Sequence, residues 1–145
     1  MAVPVTGKVL LDTNVFVDYL RADLHADWVF GGISHTMRFL SSVVLLELTL
    51  GADTARRKRA VERVIAAFPR SRHIAPAPLL FEHAGRLFRS LHGSGAEVID
   101  RLGPMNDILI ALSAREIGAT LITNNLKEFD RIARHLLGLK FTAPD

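Results

Sequence analysis

The chain has no cysteine, which excludes disulfides and thiolate metal sites and is consistent with an intracellular home. It has one Trp and one Tyr; Trp28 and its neighbour Phe30 read as packing or dimer contacts rather than base-stacking platforms. No uninterrupted apolar run approaches the ~20 residues that a bilayer demands. The opening MAVPVTGK lacks a basic stretch followed by a long apolar one, so it does not read as a secretory signal. These absences together predict a soluble, cytoplasmic protein with no membrane contact. There is no internal repeat, low-complexity tract or linker. Strong charge of one sign is also missing: 18 Lys and Arg face 15 Asp and Glu, a formal charge of +3. That bias permits a polyanionic partner such as nucleic acid without establishing one.

What is present is a large apolar complement, 49% of 145 residues, enough for a well-filled core in a single domain. Residues 1–145 read as that domain, with 1–7 a polar lead-in. Apolar runs predict strands at Lys8–Leu11, Arg38–Ser41, Arg72–Ala75, Ala119–Thr123 and Leu139–Thr142. Helical spacing predicts helices over Asn14–Leu20, Val43–Leu50 (capped by Ser42 and closed by Gly51), Asp53–Phe68, Leu79–His92, Pro104–Gly118 and around Phe129–Leu136. Arg21–Met37 is harder to place; Trp28–Phe30 suggest a short packed helix that Gly31-Gly32 breaks. Gly93–Gly103 reads as a glycine-bearing loop. The alternation of strands and helices predicts an α/β domain with a central parallel sheet of about four to five strands and helices on both faces.

Within that frame four segments draw attention. In KVLLDTNVFVDYL (Lys8–Leu20) a buried strand stops abruptly at Asp12-Thr13-Asn14, which places Asp12 at the carboxyl edge of the sheet, where open α/β folds bind ligands. A turn or helix-cap role explains Asp12 equally well. Glu47 lies in SSVVLLELTLG among six apolar neighbours; if these are buried, it needs a cation partner or a cleft to face. Asp107, in GPMNDILIALSAREIG, is expected in the first turn of an apolar helix, where the helix dipole alone favours an acid. The fourth segment, TNNLKEFDR, follows the buried ATLI run. Thr123, Asn124 and Asn125 should therefore emerge beside Asp12, either as a turn or as part of a site.

Three carboxylates near one sheet edge repel one another unless a cation joins them. Oxygen ligands without cysteine or a close histidine pair favour Mg²⁺ or Mn²⁺ over zinc. Such ions activate water and steady a phosphate undergoing in-line displacement. The six histidines, His25, His35, His73, His83, His92 and His135, form no recognised ligand pair, so no catalytic role is assigned to them.

In order and surroundings, LLDTNVFVDYL, FLSSVVLLELTLGA, NDILIALSARE and ATLITNNLKEF together resemble the PIN-domain family, and particularly the VapC-type toxins of bacterial toxin–antitoxin pairs. The resemblance spans nearly the whole chain. It implies a metal-dependent endoribonuclease in which Asp12, Glu47 and Asp107 are the metal-binding acids, with Mg²⁺ or Mn²⁺ as cofactor. Thr13 and Thr123 match supporting hydroxyl positions, with Asn14 and Asn124 beside them. Asn125 falls where many relatives carry a fourth acid, and Glu128 is the nearest carboxylate to replace that charge. The resemblance further implies RNA as substrate, a homodimer, and a cognate VapB-like antitoxin. The Asp23–Met37 connection looks longer than usual for the family. The basic run Arg56, Arg57, Lys58 and Arg59 reads either as a solvated helix face or as a contact to the RNA backbone. Arg86 and Arg89 invite the same two readings.

Two other functions fit parts of the pattern. LLDTN is similar to the first strand of aspartyl-nucleophile phosphatases, but those expect a second Asp where this chain has Asn14. A non-catalytic PIN-like binding module is the other, with Asn125 as the mark of a degraded site.

Overall fold

The computed structural model describes residues 4–93 and 102–145. Five strands, β1 (Gly7–Leu11), β2 (Thr36–Ser41), β3 (His73–Ile74), β4 (Thr120–Ile122) and β5 (Lys140–Thr142), form one sheet in the order β3-β2-β1-β4-β5. Every pairing is parallel. The seven helices among the described residues are α1 (Thr13–Ala22), α2 (Ala26–Phe30), α3 (Ser42–Gly51), α4 (Ala55–Ala66), α5 (Pro78–His92), α6 (Leu102–Glu116) and α7 (Leu126–Ala133). None is long and apolar enough to cross a membrane.

The central strands carry the apolar runs because helices cover both of their faces. Val9, Leu10, Leu11, Leu121 and Ile122 are all fully buried, as expected for a parallel sheet. Successive strands step one way from β1 to β3 and the opposite way from β3 to β5. Right-handed crossovers in opposite directions distribute the helices over both faces.

Several boundaries differ from expectation, each for a local reason. Ser41, not Ser42, caps α3, because the Ser41 hydroxyl accepts from Val43 N at 3.1 Å while Ser42 Oγ donates to Ile74 O. Thr54 caps α4 through Arg57 N at 3.1 Å, and Asp53 stays outside the helix, paired with the Arg57 guanidinium at 2.6 Å. α6 begins by Leu102, so Pro104 stands inside the first turn rather than opening it; its missing N–H is tolerated there. α7 starts three residues earlier than expected, directly after Asn125. Most of the Gly93–Gly103 loop lies outside the described residues.

The Asp23–Met37 segment is firmly packed. α2 buries Trp28 and Val29, and Trp28 Nε1 donates to Pro144 O at 2.6 Å. The Arg38 guanidinium lies 4.2 Å over the Phe68 ring and donates to Val29 O and Ala67 O. Gly31 turns the chain at φ +88°, and a Cβ there would meet Arg38 Nε at 3.0 Å.

Candidate active site

The strand order makes one place on the sheet special. Connections leave β1 and β4, neighbours at the centre, in opposite directions, which opens a crevice at their carboxyl ends. Asp12 follows β1 and Thr123 follows β4, and Asp12 N donates to Ile122 O at 2.9 Å, carrying the ladder to the mouth of that crevice. The sequence therefore folds so that its abrupt Asp-Thr-Asn break lands at the switch point.

Asp12 is buried, with 4% of its surface exposed, and both of its oxygens are held. Oδ1 accepts from Thr13 N at 2.8 Å; Oδ2 accepts from Thr123 Oγ1 at 2.8 Å and from Asn14 Nδ2 at 3.1 Å. Thr123 Oγ1 also accepts from Asn125 N at 3.0 Å and from Asn14 Nδ2 at 3.3 Å. A hydroxyl has one proton, so with two donors facing it Thr123 commits that proton to Asp12. Thr13 reaches the other way and donates to Glu47 Oε1 at 2.8 Å. The short Asp12–Asn14 segment thus ties the β1 edge to both β4 and α3.

Glu47 is half-buried on α3, but not for the reason its neighbours suggested. Leu46 and Leu50 are 46% and 64% exposed, so the apolar density of this helix supplies a second, outward face rather than complete burial. The Glu47 carboxylate is instead brought inward by Thr13. Asp107 lies in the second turn of α6, counted from Leu102, which removes it from the dipole of the first turn. Helices α3 and α6 pack against each other, bringing Glu47 near enough to Asp107 to raise its carboxyl.

The acids feel one another. Burial pushes the Asp12 carboxyl up to about 6, and Glu47 adds to the rise against the opposing hydrogen bonds. Asp107 is pushed up to about 7, by burial first and then by Asp12, Glu47 and Glu128. Among the described residues no Lys, Arg or His forms an ion pair with Asp12, Glu47 or Asp107. This is a set of hard oxygen donors with unrelieved negative charge, the chemistry that suits Mg²⁺ or Mn²⁺. Among the described residues no three such side chains already close round a single point. Mg²⁺ usually keeps several waters and takes only one or two protein carboxylates, so the donor set fits the ion without a ready-made cage.

A cleft of about 670 Å³ opens beside Asp107, lined in part by Asn125, Glu128, Lys127, Arg131 and Arg134. Asn125 and Glu128 therefore share this cleft with Asp107. Arg56, Arg57, Lys58 and Arg59 are exposed on α4 and are not among the residues lining the cleft; Lys127 and Arg131 on α7 and Arg134 just after it supply its cations instead. Asn124 takes part through its main chain, donating to Asn14 Oδ1 at 3.1 Å. The sequence reading missed Asp18 and His25. Asp18 Oδ2 accepts from Asn124 Nδ2 and lies 3.3 Å from His25 Nε2. The available signal was spacing: Asp18 falls four residues after Asn14, on the same helix face. His92, which had no assigned role, lines the cleft as well.

The chain is similar to known proteins over most of its length. The PIN domain model matches residues 9–135. The chain is 31% identical over 134 residues to Ribonuclease VapC2 of Rickettsia felis, covering 88% of this chain and 94% of that protein. It is 29% identical over 126 residues to the tRNA(fMet)-specific endonuclease VapC of Shigella flexneri, covering 86% and 92%. Among solved structures it is similar to VapBC2 from Rickettsia felis bound to a promoter DNA fragment, with TM-score 0.66, 29% identity, and 95% and 99% of the two chains covered. DNA-bound VapBC from Salmonella typhimurium gives TM-score 0.69 at 25% identity, covering 95% and 98%. With a family match over most of its length and the acid-bearing crevice at its switch point, the chain belongs to the PIN-domain family.

Proposed function

We propose that this protein is a Mg²⁺- or Mn²⁺-dependent endoribonuclease, the toxin of a VapBC-type toxin–antitoxin pair. The observation that carries the reading is the trio Asp12, Glu47 and Asp107. They come from three separate elements and lie at one switch point; Glu47 raises the carboxyls of Asp12 and Asp107, Asp12 raises that of Asp107, and among the described residues none of the three is in an ion pair. The names of its relatives, a ribonuclease and a tRNA-specific endonuclease, support RNA as the substrate class.

In this reading Asp12, Glu47 and Asp107 would hold the cation, one or two of them directly and the rest through its waters, with Glu128 or the Asn125 amide next to them. When bound, the ion activates water and steadies charge on the phosphate. The chain's own part is positional. Thr123 and Asn14 fix both the rotation and the charge of Asp12 at Oδ2, and Thr13 holds Glu47 through Oε1. Lys127 and Arg131 on α7, with Arg134 just after it, offer charge to the backbone phosphates that flank the scissile one.

The partner is a VapB-like antitoxin, since the solved relatives are VapBC assemblies. Leu46 and Leu50 on α3, with Leu79 and Phe81 on α5, leave apolar surface exposed that an antitoxin or a second copy in a homodimer would cover. The phosphatase alternative loses its support at Asn14, whose amide donates to Asp12 where a second carboxylate was needed. A non-catalytic module draws on the neutral Asn125 and the unclosed acids. Cleavage of RNA by the purified protein, with EDTA and with Mn²⁺ restored, decides between the two.

A further inference from the structure

We propose that Asp18, braced by His25, is a positioning residue that sets the orientation of Asn124 and Asn14 and thereby the geometry in which Asp12 takes a cation; this rests on the metal-dependent reading above. Asp18 is not one of the acids crowding the crevice. It sits one helical turn beyond Asn14 on α1, facing the same sheet edge. Its Oδ2 gathers two groups, the Asn124 side-chain amide and His25 Nε2 at 3.3 Å. Asn124 then donates from its main-chain N to Asn14 Oδ1 at 3.1 Å. That bond decides which way the Asn14 amide points: with Oδ1 taken by Asn124, Nδ2 is left facing Asp12 Oδ2 at 3.1 Å and Thr123 Oγ1 at 3.3 Å. A flipped Asn14 would set its oxygen against Asp12, acceptor on acceptor. Every link from Asp18 to Asp12 therefore has a defined donor and acceptor.

His25 reaches this chain of contacts from the segment whose length set it apart in the sequence. It precedes α2 at φ 62°, a left-handed position, and only 11% of its side chain is exposed. The segment behind it is anchored by Trp28 to Pro144 O and by Arg38 to Val29 O. The Asp23–Met37 segment, anchored at Trp28 and Val29, thus sets a ring against Asp18. Partners that orient ligating carboxylates govern metal affinity strongly, so the Asp23–Met37 segment acts on the active site from outside it.

The test compares wild type, Asp18→Ala, Asp18→Asn and His25→Ala, each checked for thermal unfolding. Mn²⁺ binding to the metal-free protein is measured by calorimetry, and the side-chain amide resonances of Asn14 and Asn124 are followed without metal. Asp18→Ala is expected to weaken Mn²⁺ binding about tenfold and Asp18→Asn by no more than about twofold, because Asn keeps an acceptor oxygen for Asn124. The Asn14 and Asn124 signals move in Asp18→Ala, and His25→Ala shifts both readouts in the same direction by less. Equal weakening in Asp18→Ala and Asp18→Asn overturns the proposal, since loss of charge alone then accounts for it. Unmoved amide signals in Asp18→Ala overturn it as well. If wild type binds no Mn²⁺, the metal-dependent reading fails, and the amide signals still decide whether Asp18 orients Asn14. Should Asp18→Ala not fold, His25→Ala carries the same comparison.

Discussion

Asp107 and Asp12 store an electrostatic cost that a bound cation would remove. Their carboxyls stand at about 7 and about 6, above the ordinary 3.8, because burial, and then repulsion from neighbouring carboxylates, disfavours the charged form. An acid whose folded value is raised adds stability below its unfolded value and loses it as pH climbs through the folded one. The metal-free protein should therefore lose stability between pH 5 and 8, with about 3 kcal/mol recovered at pH 8 by Asp107→Asn. Chemical denaturation of both proteins at the two pH values checks this, and an equal pH dependence in the two would contradict it. Mn²⁺ affinity should fall as pH drops from 8 to 6, since the ion competes with the protons that these acids hold tightly.

At the same scale, Thr123→Val keeps shape but removes the proton donated to Asp12 and an acceptor for Asn14 and Asn125 N. Groups left unpaired in a buried site cost about 1–3 kcal/mol, so denaturant unfolding should show that loss together with weaker Mn²⁺ binding. Some of these residues were legible before folding was known. Asp12 stood out because an apolar run broke off at it. Glu47 was found through a premise that did not hold, since Leu46 and Leu50 turn outward; apolar density along a helix does not tell a core face from a partner-facing one. Asp18 stayed hidden because one acid on an amphipathic helix looks solvated, and its partners His25 and Asn124 are distant in sequence.

Among the elements, types were legible and ends were not. Strands and helices follow from period, whereas caps depend on which hydroxyl meets which N–H in three dimensions. Two adjacent serines stand at the start of α3, and only the Ser41 oxygen accepts from a helix N–H. Ser41→Ala should cost about 1 kcal/mol in unfolding free energy, measured against a smaller effect for the exposed Ser42→Ala. The basic elements divide in a similar way. The sequence drew attention to ARRKR on α4, a denser cluster than the cations in and just after α7, yet it is Lys127, Arg131 and Arg134 that line the cleft with Asp107. Neutralising these three to Gln should weaken RNA binding and lower its salt slope by about one for each phosphate left without its cation. The same change at Arg56, Arg57, Lys58 and Arg59 should leave that slope nearer to wild type. The reverse outcome would move the RNA path to α4.

For the whole molecule, alternation along the chain showed a parallel α/β sheet but not its strand order, because order depends on crossovers between distant segments. The order β3-β2-β1-β4-β5 is what turns four weak motifs into one crevice: it sets the ends of β1 and β4 side by side, and α3 and α6 close in with their acids. The most direct test of this arrangement is the rate of RNA cleavage by purified protein stripped with EDTA, before and after Mn²⁺ is returned, alongside a folded Asp107→Asn variant. Cleavage should vanish on stripping, return with Mn²⁺, and be lost in the variant. Undiminished cleavage after stripping, or by Asp107→Asn, would contradict a nuclease built on these three carboxylates.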